Sequence, residues 1–277
     1  MKNEEETEDG IWYFAIASMI NPISLRARDI NPLVSFPAKI IDYSLRFRGT
    51  FGMAEAVSCK GSSFHGVVHK LSHADMAKLD AIEAAYNRKM AIVELYSGEK
   101  LDGWVYCSKE GVDGLPGGGE DSPPYQRYIE IIVEGCKHFG VDKEYIEHLQ
   151  SLKSVPRKKP EEFKSFPVPP DVPKWTLQDV AKGDGKRDNP AYVTINGKVL
   201  QYKGPRDTFF GKMVLNTFVG GPFEPRYARN LYDPKYGIPQ SLEEFKREHC
   251  AYIEDLIATH SFDLATVVAV IDQTYAD

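Results

Sequence analysis

The chain has 277 residues, 42% of them hydrophobic, so it can bury one large core or two modest ones. Its 34 lysines and arginines face 40 aspartates and glutamates, and a net charge of -6 disfavours the phosphate attraction that nucleic-acid-binding proteins use. The four cysteines are scattered without disulfide-rich or zinc-ligand spacing, and no apolar run approaches the length of a membrane span. We therefore expect a cytoplasmic protein without nucleic-acid or membrane partners.

Two predicted strands flank the most informative segment. Residues 64–71 have the pattern of a buried strand, with a glycine at position 66 that allows close backbone approach. Residues 86–95 predict another strand. Between them, Leu79-Asp80-Ala81-Ile82-Glu83 follows an apolar helical turn, which places Glu83 at a helix-to-strand junction. Such a position can face a cavity while its backbone is held rigidly.

Glu83 is the candidate acid/base group. A carboxylate that shuttles protons needs a pKa near the working pH, which requires partial burial away from water and cations. Its neighbours Ile82, Ala84 and Ala85 are compatible with such burial. An ion pair with Arg88 would lower the pKa and weaken the base. A purely structural role, in which Glu83 caps or pairs at a helix end, explains the local pattern equally well.

Three histidines share the four-residue spacing of helical metal ligands. However, His65 and His69 fall in a predicted strand and His73 lies past its end, so no shared metal is expected.

A proline-rich segment separates the first part of the chain from the rest. Residues 156–173 hold six of the 18 prolines, so they can neither continue a helix nor form a central strand. The segment is either an extended linker or a strap across the first domain. The strap is favoured because four apolar residues can anchor it: Phe163, Phe166, Val168 and Val172.

The last hundred residues have their own organisation. Residues 191–202 predict a hairpin around an Asn-Gly turn. A capping box at Ser241-Leu242-Glu243-Glu244 predicts a helix that runs to about Ala258. Residues 263–275 are apolar enough to form a second packed helix.

Five segments occur in the order in which the gamma-glutamyl cyclotransferase family has them, and the chain resembles that family over roughly residues 11–155. The segments are residues 12–20, 37–47, 52–57, 79–83 and 124–128. The resemblance implies an α+β fold, a small mixed β-barrel with flanking helices, for a catalytic domain at 11–155. The strap or linker at 156–173 then leads to an α/β extension at 174–277, a hairpin plus helices packed on the first domain.

The resemblance also implies a reaction, an intramolecular aminolysis. The α-amine of a γ-glutamyl group attacks its own γ-carbonyl and releases 5-oxoproline and a free amine, without metal or other cofactor. By resemblance Glu83 is the proton shuttle, and Tyr128 lines the substrate site. Backbone amides of the first loop bind the substrate's carboxylate and developing oxyanion; its residues are Ile16, Ala17, Ser18 and Met19. The expected partner is a small γ-glutamyl molecule, and the oligomeric state stays open.

The first loop departs from the family's Tyr-Gly-Ser-Asn, because only Ser18 is retained. The site is either retuned for a bulkier, more apolar substrate or reduced to a binding module. With the long extension, this loop resembles the divergent fungal cyclotransferases of the gliotoxin type. That resemblance predicts a bulky glutathione-derived γ-glutamyl substrate in secondary metabolism, with residues from Asp171 onward contributing to its pocket. The alternatives are a non-catalytic ligand-binding protein and a cyclotransferase acting on γ-glutamyl-amines or ordinary γ-glutamyl dipeptides.

Overall fold

The computed structural model describes residues 10–49, 51–84, 86–108, 119–225, 232–239 and 241–273. The chain divides into two compact units, Met1–Arg157 and Lys158–Asp277. Within the described ranges, no helix is both long enough and apolar enough to cross a membrane.

The first unit is built on a closed barrel with the strand order β1-β3-β2-β4-β5. The strands are β1 (Ile11–Ala15), β2 (Val34–Arg48), β3 (Met53–Leu71), β4 (Tyr86–Leu95) and β5 (Lys100–Ser108). The flanking helices are α1 (Pro22–Ala27), α2 (His73–Ile82), α3 (Gln126–His138) and α4 (Lys143–Ser151). Strands β1 and β5 pair in parallel and the other neighbours pair antiparallel. The predicted α+β fold, a small mixed barrel with flanking helices, is confirmed.

Strand residues alternate between two apolar clusters, as the two-residue period of a strand requires. One cluster draws its buried members from strands alone, Phe14, Val68 and Val105 among them, and we assign it to the barrel interior. The other joins strand residues such as Tyr13 and Tyr106 to buried residues of the helices. This second cluster therefore lies on the outer wall of the barrel, under the helices.

Helix α1 is fixed to helix α3 at its first turn. The Asn21 side chain caps α1 by accepting a hydrogen bond from the Ile23 amide at 2.9 Å. Its Nδ2 donates to the Ile131 carbonyl at 3.2 Å and to Glu134 Oε2 at 2.8 Å. Gly135 permits this contact, because a Cβ there would lie 2.7 Å from the Asn21 backbone nitrogen.

The second unit contains a four-stranded sheet with the order β8-β6-β7-β9. Its strands are β6 (Ala191–Ile195), β7 (Lys198–Tyr202), β8 (Gly221–Pro222) and β9 (Ala265–Val270). Its helices include α5 (Leu177–Ala181), α6 (Phe209–Thr217) and α7 (Arg247–Ser261). The predicted hairpin is confirmed, with positive φ angles of 47° at Asn196 and 75° at Gly197. Positive φ at both positions is typical of the hairpin turn that suits twisted strands.

Two predictions for the end of the chain are wrong. The first concerns residues 263–275, predicted as a helix, where strand β9 pairs antiparallel with β7 instead. Its consecutive β-branched residues, Thr266, Val267 and Val268, favour a strand. The second concerns the helix expected from Ser241, which begins only at Arg247 after a 3-10 turn at Leu242–Glu244. Phe245 is fully buried between the two elements, so the chain packs into the core before α7 starts.

The proline-rich segment packs, in part, within the second unit. Phe166 is 2% exposed and belongs to the same core as Val193 and Leu200. The ring of Phe163 lies 5.9 Å from that of Tyr252. Val168, a third expected anchor, is 45% exposed. The two phenylalanines expected to hold a strap on the first domain thus contact residues of the second unit.

A buried polar network surrounds the Asn-Gly turn of the second unit. The Asn196 amide donates to Glu224 Oε1 at 2.6 Å, and its side-chain Nδ2 donates to Glu254 Oε2 at 2.7 Å. Lys198 Nζ pairs with Glu254 Oε1 at 2.5 Å. Burial raises the pKa of Glu224 to about 7, although the Asn196 amide opposes this shift.

Candidate active site

Glu83 lies between helix α2 and strand β4, as the sequence predicts. Its amide donates to the Leu79 carbonyl at 2.8 Å, which closes the helix. Its carbonyl accepts from the Tyr86 amide at 2.8 Å, which starts the strand. Both backbone groups are thereby fixed, and the half-buried side chain projects from a rigid junction.

The Glu83 carboxyl interacts electrostatically with an arginine and four tyrosines from separate parts of the first unit. These residues are Arg28, Tyr13, Tyr86, Tyr106 and Tyr128. Burial raises the pKa of Glu83 to about 7, and the charge of Arg28 works against this rise. Desolvation is the larger influence, so Glu83 is divided between its acid and base forms near neutral pH. That is the condition a proton shuttle requires.

Arg88 does not pair with Glu83. Its Nε lies 3.2 Å from Asp80 Oδ1, and its guanidinium lies 5.1 Å from the centroid of the Trp104 ring. Asp80 also accepts a hydrogen bond from the Tyr106 hydroxyl at 2.7 Å. The ion pair that could have weakened the base is therefore made one helical turn earlier, with Asp80.

Arg28 is the functional candidate that the sequence reasoning missed. It ends helix α1, and its Nη1 donates to the Ser24 carbonyl at 2.9 Å. Burial lowers its pKa, while Glu83, Tyr13 and Tyr128 raise it. No motif marks Arg28, because the fold alone brings it near Glu83.

The tyrosines around Glu83 are neutral hydrogen-bond donors. Burial raises the pKa of Tyr13, Tyr86 and Tyr128 above the ordinary phenol value, and the charge of Glu83 raises each further. Tyr128 is 7% exposed, and its hydroxyl accepts a hydrogen bond from the Ala54 amide at 3.4 Å. Its own proton therefore remains available for another acceptor. The structure thus places Tyr128, a predicted site residue, close to Glu83.

The hydrogen-bond donors of the first loop are mainly backbone amides, because three of its four side chains are apolar. It forms a 3-10 turn at Ser18–Ile20, in which the Ile20 amide donates to the Ala17 carbonyl at 2.8 Å. The amides of Ser18 and Met19 precede that bond, so they have no acceptor within the turn. The Met19 side chain is buried in the outer-wall cluster, on which Ala17 packs, and Ile16 packs on the interior cluster. The apolar side chains of Ile16, Ala17 and Met19 therefore take part in the packing of the two clusters.

The contacts of His69, which lies next to the first loop, indicate a structural role. His69 is fully buried, with Nδ1 2.7 Å from Ser35 Oγ and Nε2 3.1 Å from the Met19 carbonyl oxygen. Burial lowers its pKa to about 4, so the ring is neutral. Since a carbonyl can only accept, the proton is assigned to Nε2. His69 therefore holds the first loop against β3.

A cavity of about 340 Å³ lies elsewhere in the first unit, between the long strands and α4. Its lining includes Phe47, whose ring centroid is 6.3 Å from that of Tyr128. Glu83 does not line it. A second cavity of about 280 Å³ belongs to the second unit and includes Trp175 and Gln273.

Residues 22–129 match a family model described as gamma-glutamyl cyclotransferase, AIG2-like. The first unit thus contains a segment that is similar to this family, which confirms the resemblance predicted from the sequence. Arg28, Glu83 and Tyr128 lie inside the matched segment, whereas the first loop precedes it. A search of curated protein sequences gave no match.

Three similar solved structures illustrate the likeness. One is described as a gamma-glutamyl cyclotransferase, at 21% identity over 53% of this chain and 90% of its own, with a TM-score of 0.46. An uncharacterized protein from Homo sapiens shows 22% identity over the same shares, also with a TM-score of 0.46. YkqA from Bacillus subtilis shows 21% identity over 54% of this chain and 58% of its own, with a TM-score of 0.43.

Proposed function

We propose that the protein is a gamma-glutamyl cyclotransferase that converts a γ-glutamyl amide into 5-oxoproline and a free amine. The observation that carries the proposal is the Glu83 carboxyl, which lies inside the family-matched segment and has a pKa of about 7. A carboxyl that only caps a helix would need no such environment. The acid/base role predicted from the sequence is therefore the one we propose.

The reaction needs one proton shuttle and a set of donors. Glu83 takes a proton from the substrate's α-ammonium, and the freed amine attacks the γ-carbonyl of the same molecule. Tethering makes this attack effectively unimolecular. The developing oxyanion accepts hydrogen bonds from the Ser18 and Met19 amides or from the neutral tyrosines. Glu83 then returns the proton to the departing nitrogen as the oxyanion re-forms the carbonyl and the bond between that nitrogen and the γ-carbon breaks. The ring nitrogen passes its extra proton to the released amine, so the products are the neutral lactam 5-oxoproline and an ammonium.

The leaving group that we propose is bulky and apolar, as in a γ-glutamyl conjugate derived from glutathione. Support comes from an apolar strip on the outer side of β4 and β5, formed by Met90, Ile92 and Trp104. Met90 and Ile92 are each 49% exposed. They lie on the same face of β4 as Arg88, at two-residue spacing, and Arg88 is paired across the sheet with Tyr106. The strip therefore starts beside the Glu83 cluster and runs away from it.

The first test is Glu83→Gln, which keeps the shape of the side chain but removes the proton acceptor. We expect 5-oxoproline release to fall by about two to four orders of magnitude. Thermal unfolding and binding of the intact substrate should be preserved. Turnover equal to that of the unmodified protein would refute the assignment. A wild-type protein that binds γ-glutamyl compounds without converting them would instead support the non-catalytic alternative.

The second test separates large from small leaving groups. Replacing both Met90 and Ile92 by serine should lower kcat/KM for S-benzylglutathione about tenfold, because apolar contact is lost. Turnover of γ-glutamylalanine should change little. Val34→Ser, at an exposed apolar residue of β2, is the matched control. Equal losses for both substrates would show that the strip does not select the leaving group.

A further inference from the structure

We propose that Asp80 is a positioning residue, which holds the Arg88 guanidinium away from Glu83 and so keeps the proposed proton shuttle out of an ion pair. This inference rests on the proposed function. Arg88 follows Glu83 by only five residues, and an arginine paired with Glu83 would make it a poorer base. A second carboxylate that binds this arginine removes the conflict.

The contact between Asp80 and Arg88 bridges the helix-to-strand junction that contains Glu83. Asp80 lies on the last turn of α2, and Arg88 is the third residue of β4. The Arg88 Nε lies 3.2 Å from Asp80 Oδ1. The ion pair therefore joins the chain on either side of the junction, and Glu83 lies in the loop that it closes.

Both partners of this ion pair make a further contact with strand β5. The Tyr106 hydroxyl donates to the same Asp80 Oδ1 at 2.7 Å, and Tyr106 is directly opposite Arg88 across the sheet. The Arg88 guanidinium also lies 5.1 Å from the centroid of the Trp104 ring. Asp80 thus accepts from two donors, and the Arg88 side chain lies over β5.

Glu83 is within reach of Arg88 if Asp80 loses its charge. The Glu83 amide still bonds to the Leu79 carbonyl at 2.8 Å, so Glu83 belongs to the closing turn of α2. Residues three apart on a helix have Cβ atoms about 5–6 Å from each other, which makes Asp80 and Glu83 neighbours. A long arginine side chain that reaches the first carboxylate can therefore turn to the second.

A purely stabilising role accounts less well for this ion pair. The side chains of Asp80 and Arg88 are 39% and 33% exposed, and ion pairs at such exposure contribute little to stability. Their position around Glu83 matters more than their strength. Breaking the pair should therefore change the chemistry of Glu83 more than it changes the stability of the fold.

Other groups also influence Glu83, so a test must change only the Asp80–Arg88 pair. These groups come from separate elements and are Arg28 after α1, Tyr13 of β1, Tyr86 of β4, Tyr106 of β5 and Tyr128 of α3. Variants of Asp80 and Arg88 retain all of them. Their influence therefore cancels when such variants are compared with the wild-type protein.

The experiment measures kcat/KM for γ-glutamylalanine against pH in Asp80→Asn, which keeps an oxygen for the Tyr106 hydroxyl but removes the charge that binds Arg88. The released Arg88 favours the ionised form of Glu83. The midpoint of the fall in kcat/KM should therefore move from about 7 to a pH at least about one unit lower. The plateau at high pH should fall about threefold, because a more acidic carboxyl is a weaker base. Thermal unfolding should change little.

The double variant Asp80→Asn, Arg88→Met identifies the cause. It lacks the released arginine, so the midpoint should return to the wild-type value. Glu94→Gln, which breaks an ion pair with Lys100 on the same sheet, is the matched control and should leave the midpoint unchanged. An unchanged midpoint in Asp80→Asn would overturn the inference. So would an equal shift in the single and double variants, because the lost charge of Asp80 would then act on Glu83 directly.

NMR can follow the titration of Glu83 without turnover. In protein isotope-labelled at its glutamate carboxyls, the Glu83 signal is the one that disappears in Glu83→Gln. Its midpoint should fall in Asp80→Asn and recover in the double variant, and a midpoint that stays in place in folded Asp80→Asn would reject the positioning role. A wild-type protein that converts no γ-glutamyl substrate would reject the proposed function, whereas this titration would still decide whether Asp80 keeps Arg88 from Glu83.

Discussion

At the scale of single residues, two opposing influences decide the chemistry of Glu83. Burial among tyrosines raises its pKa, and the charge of Arg28 lowers it, with a net value of about 7. Without Arg28 the carboxyl would bind its proton more tightly and be a poorer base at neutral pH. With a closely paired arginine it would be fully ionised and a poorer acid for the leaving nitrogen.

The pH dependence of turnover follows from this balance. Because the ionised form of Glu83 starts the reaction, kcat/KM should fall as the pH drops through about 7, approaching tenfold per unit. Arg88→Met should leave the midpoint of this fall in kcat/KM unchanged, since Arg88 pairs with Asp80. The check is a kcat/KM profile from pH 5 to 9. A midpoint near 4.5 in the wild-type protein would show that Glu83 is hydrated like an ordinary surface carboxylate.

The sequence predicts the place of Glu83 but not its electrostatics. A local pattern of apolar turn, carboxylate and β-prone run is enough to locate a helix-to-strand junction. The partner charge is a property of the tertiary fold, whereas nearness in sequence points to Arg88. Arg28 is far from Glu83 along the chain, and only the packing of α1 beside the barrel brings them together.

At the scale of elements, the contact between α1 and α3 positions the candidate site. Asn21 links the start of α1 to Ile131 and to Glu134, and Tyr128 lies on the same helix α3. The first loop precedes Asn21 directly. A shift at this contact would therefore move Arg28 and the loop together.

Gly135→Ala tests this contact. The new methyl group would lie 2.7 Å from the Asn21 nitrogen and 2.8 Å from its Cα, which are backbone atoms that cannot rotate away. Overpacking of about 1–3 kcal/mol should outweigh the roughly 0.5–1 kcal/mol that alanine gains in a helix. We expect a lower free energy of unfolding in urea and a reduced kcat/KM. Lys137→Ala, exposed on the same helix, should change stability by less than about 0.5 kcal/mol. A more stable Gly135→Ala protein would mean that α1 relaxes without cost.

Element types were predictable where local signals agree. Strand β4 has the predicted bounds of Tyr86–Leu95, and the Asn-Gly hairpin has its predicted turn. Strand β9 was missed because a short apolar run fits a buried helix or a buried strand, and only its pairing with β7 decides. The start of α7 was missed because a capping box also suits an isolated 3-10 turn.

At the scale of the whole molecule, each unit holds a buried titratable group with its own effect on stability. Glu224 in the second unit has a pKa raised to about 7, so the folded state binds its proton more tightly than the unfolded state. Stability from Glu224 is therefore largest in acid and is lost as the pH rises through about 7. His69 in the first unit has a lowered pKa of about 4 and acts in the opposite direction, losing stability as the pH falls.

Glu224→Gln should remove its part of this dependence. Between pH 5 and 8 the wild-type protein should lose up to about 3 kcal/mol through Glu224, and the variant should not. Thermal midpoints measured across this range give the comparison, and the contributions of Glu83 and His69 cancel in the difference. Parallel curves for the two proteins would show that Glu224 does not titrate in this range.

The closed barrel has a consequence for how such a protein can change over evolutionary time. Its interior is filled by strand side chains, whereas Tyr13, Tyr106 and Tyr128, which interact with Glu83, lie outside the wall. Mutations inside the barrel change the packing volume of the core, whereas mutations outside the wall change the chemistry of the candidate site. The two can therefore vary independently. A lineage can exchange its substrate while the scaffold keeps its stability, and the altered first loop beside a retained Glu83 is consistent with that history.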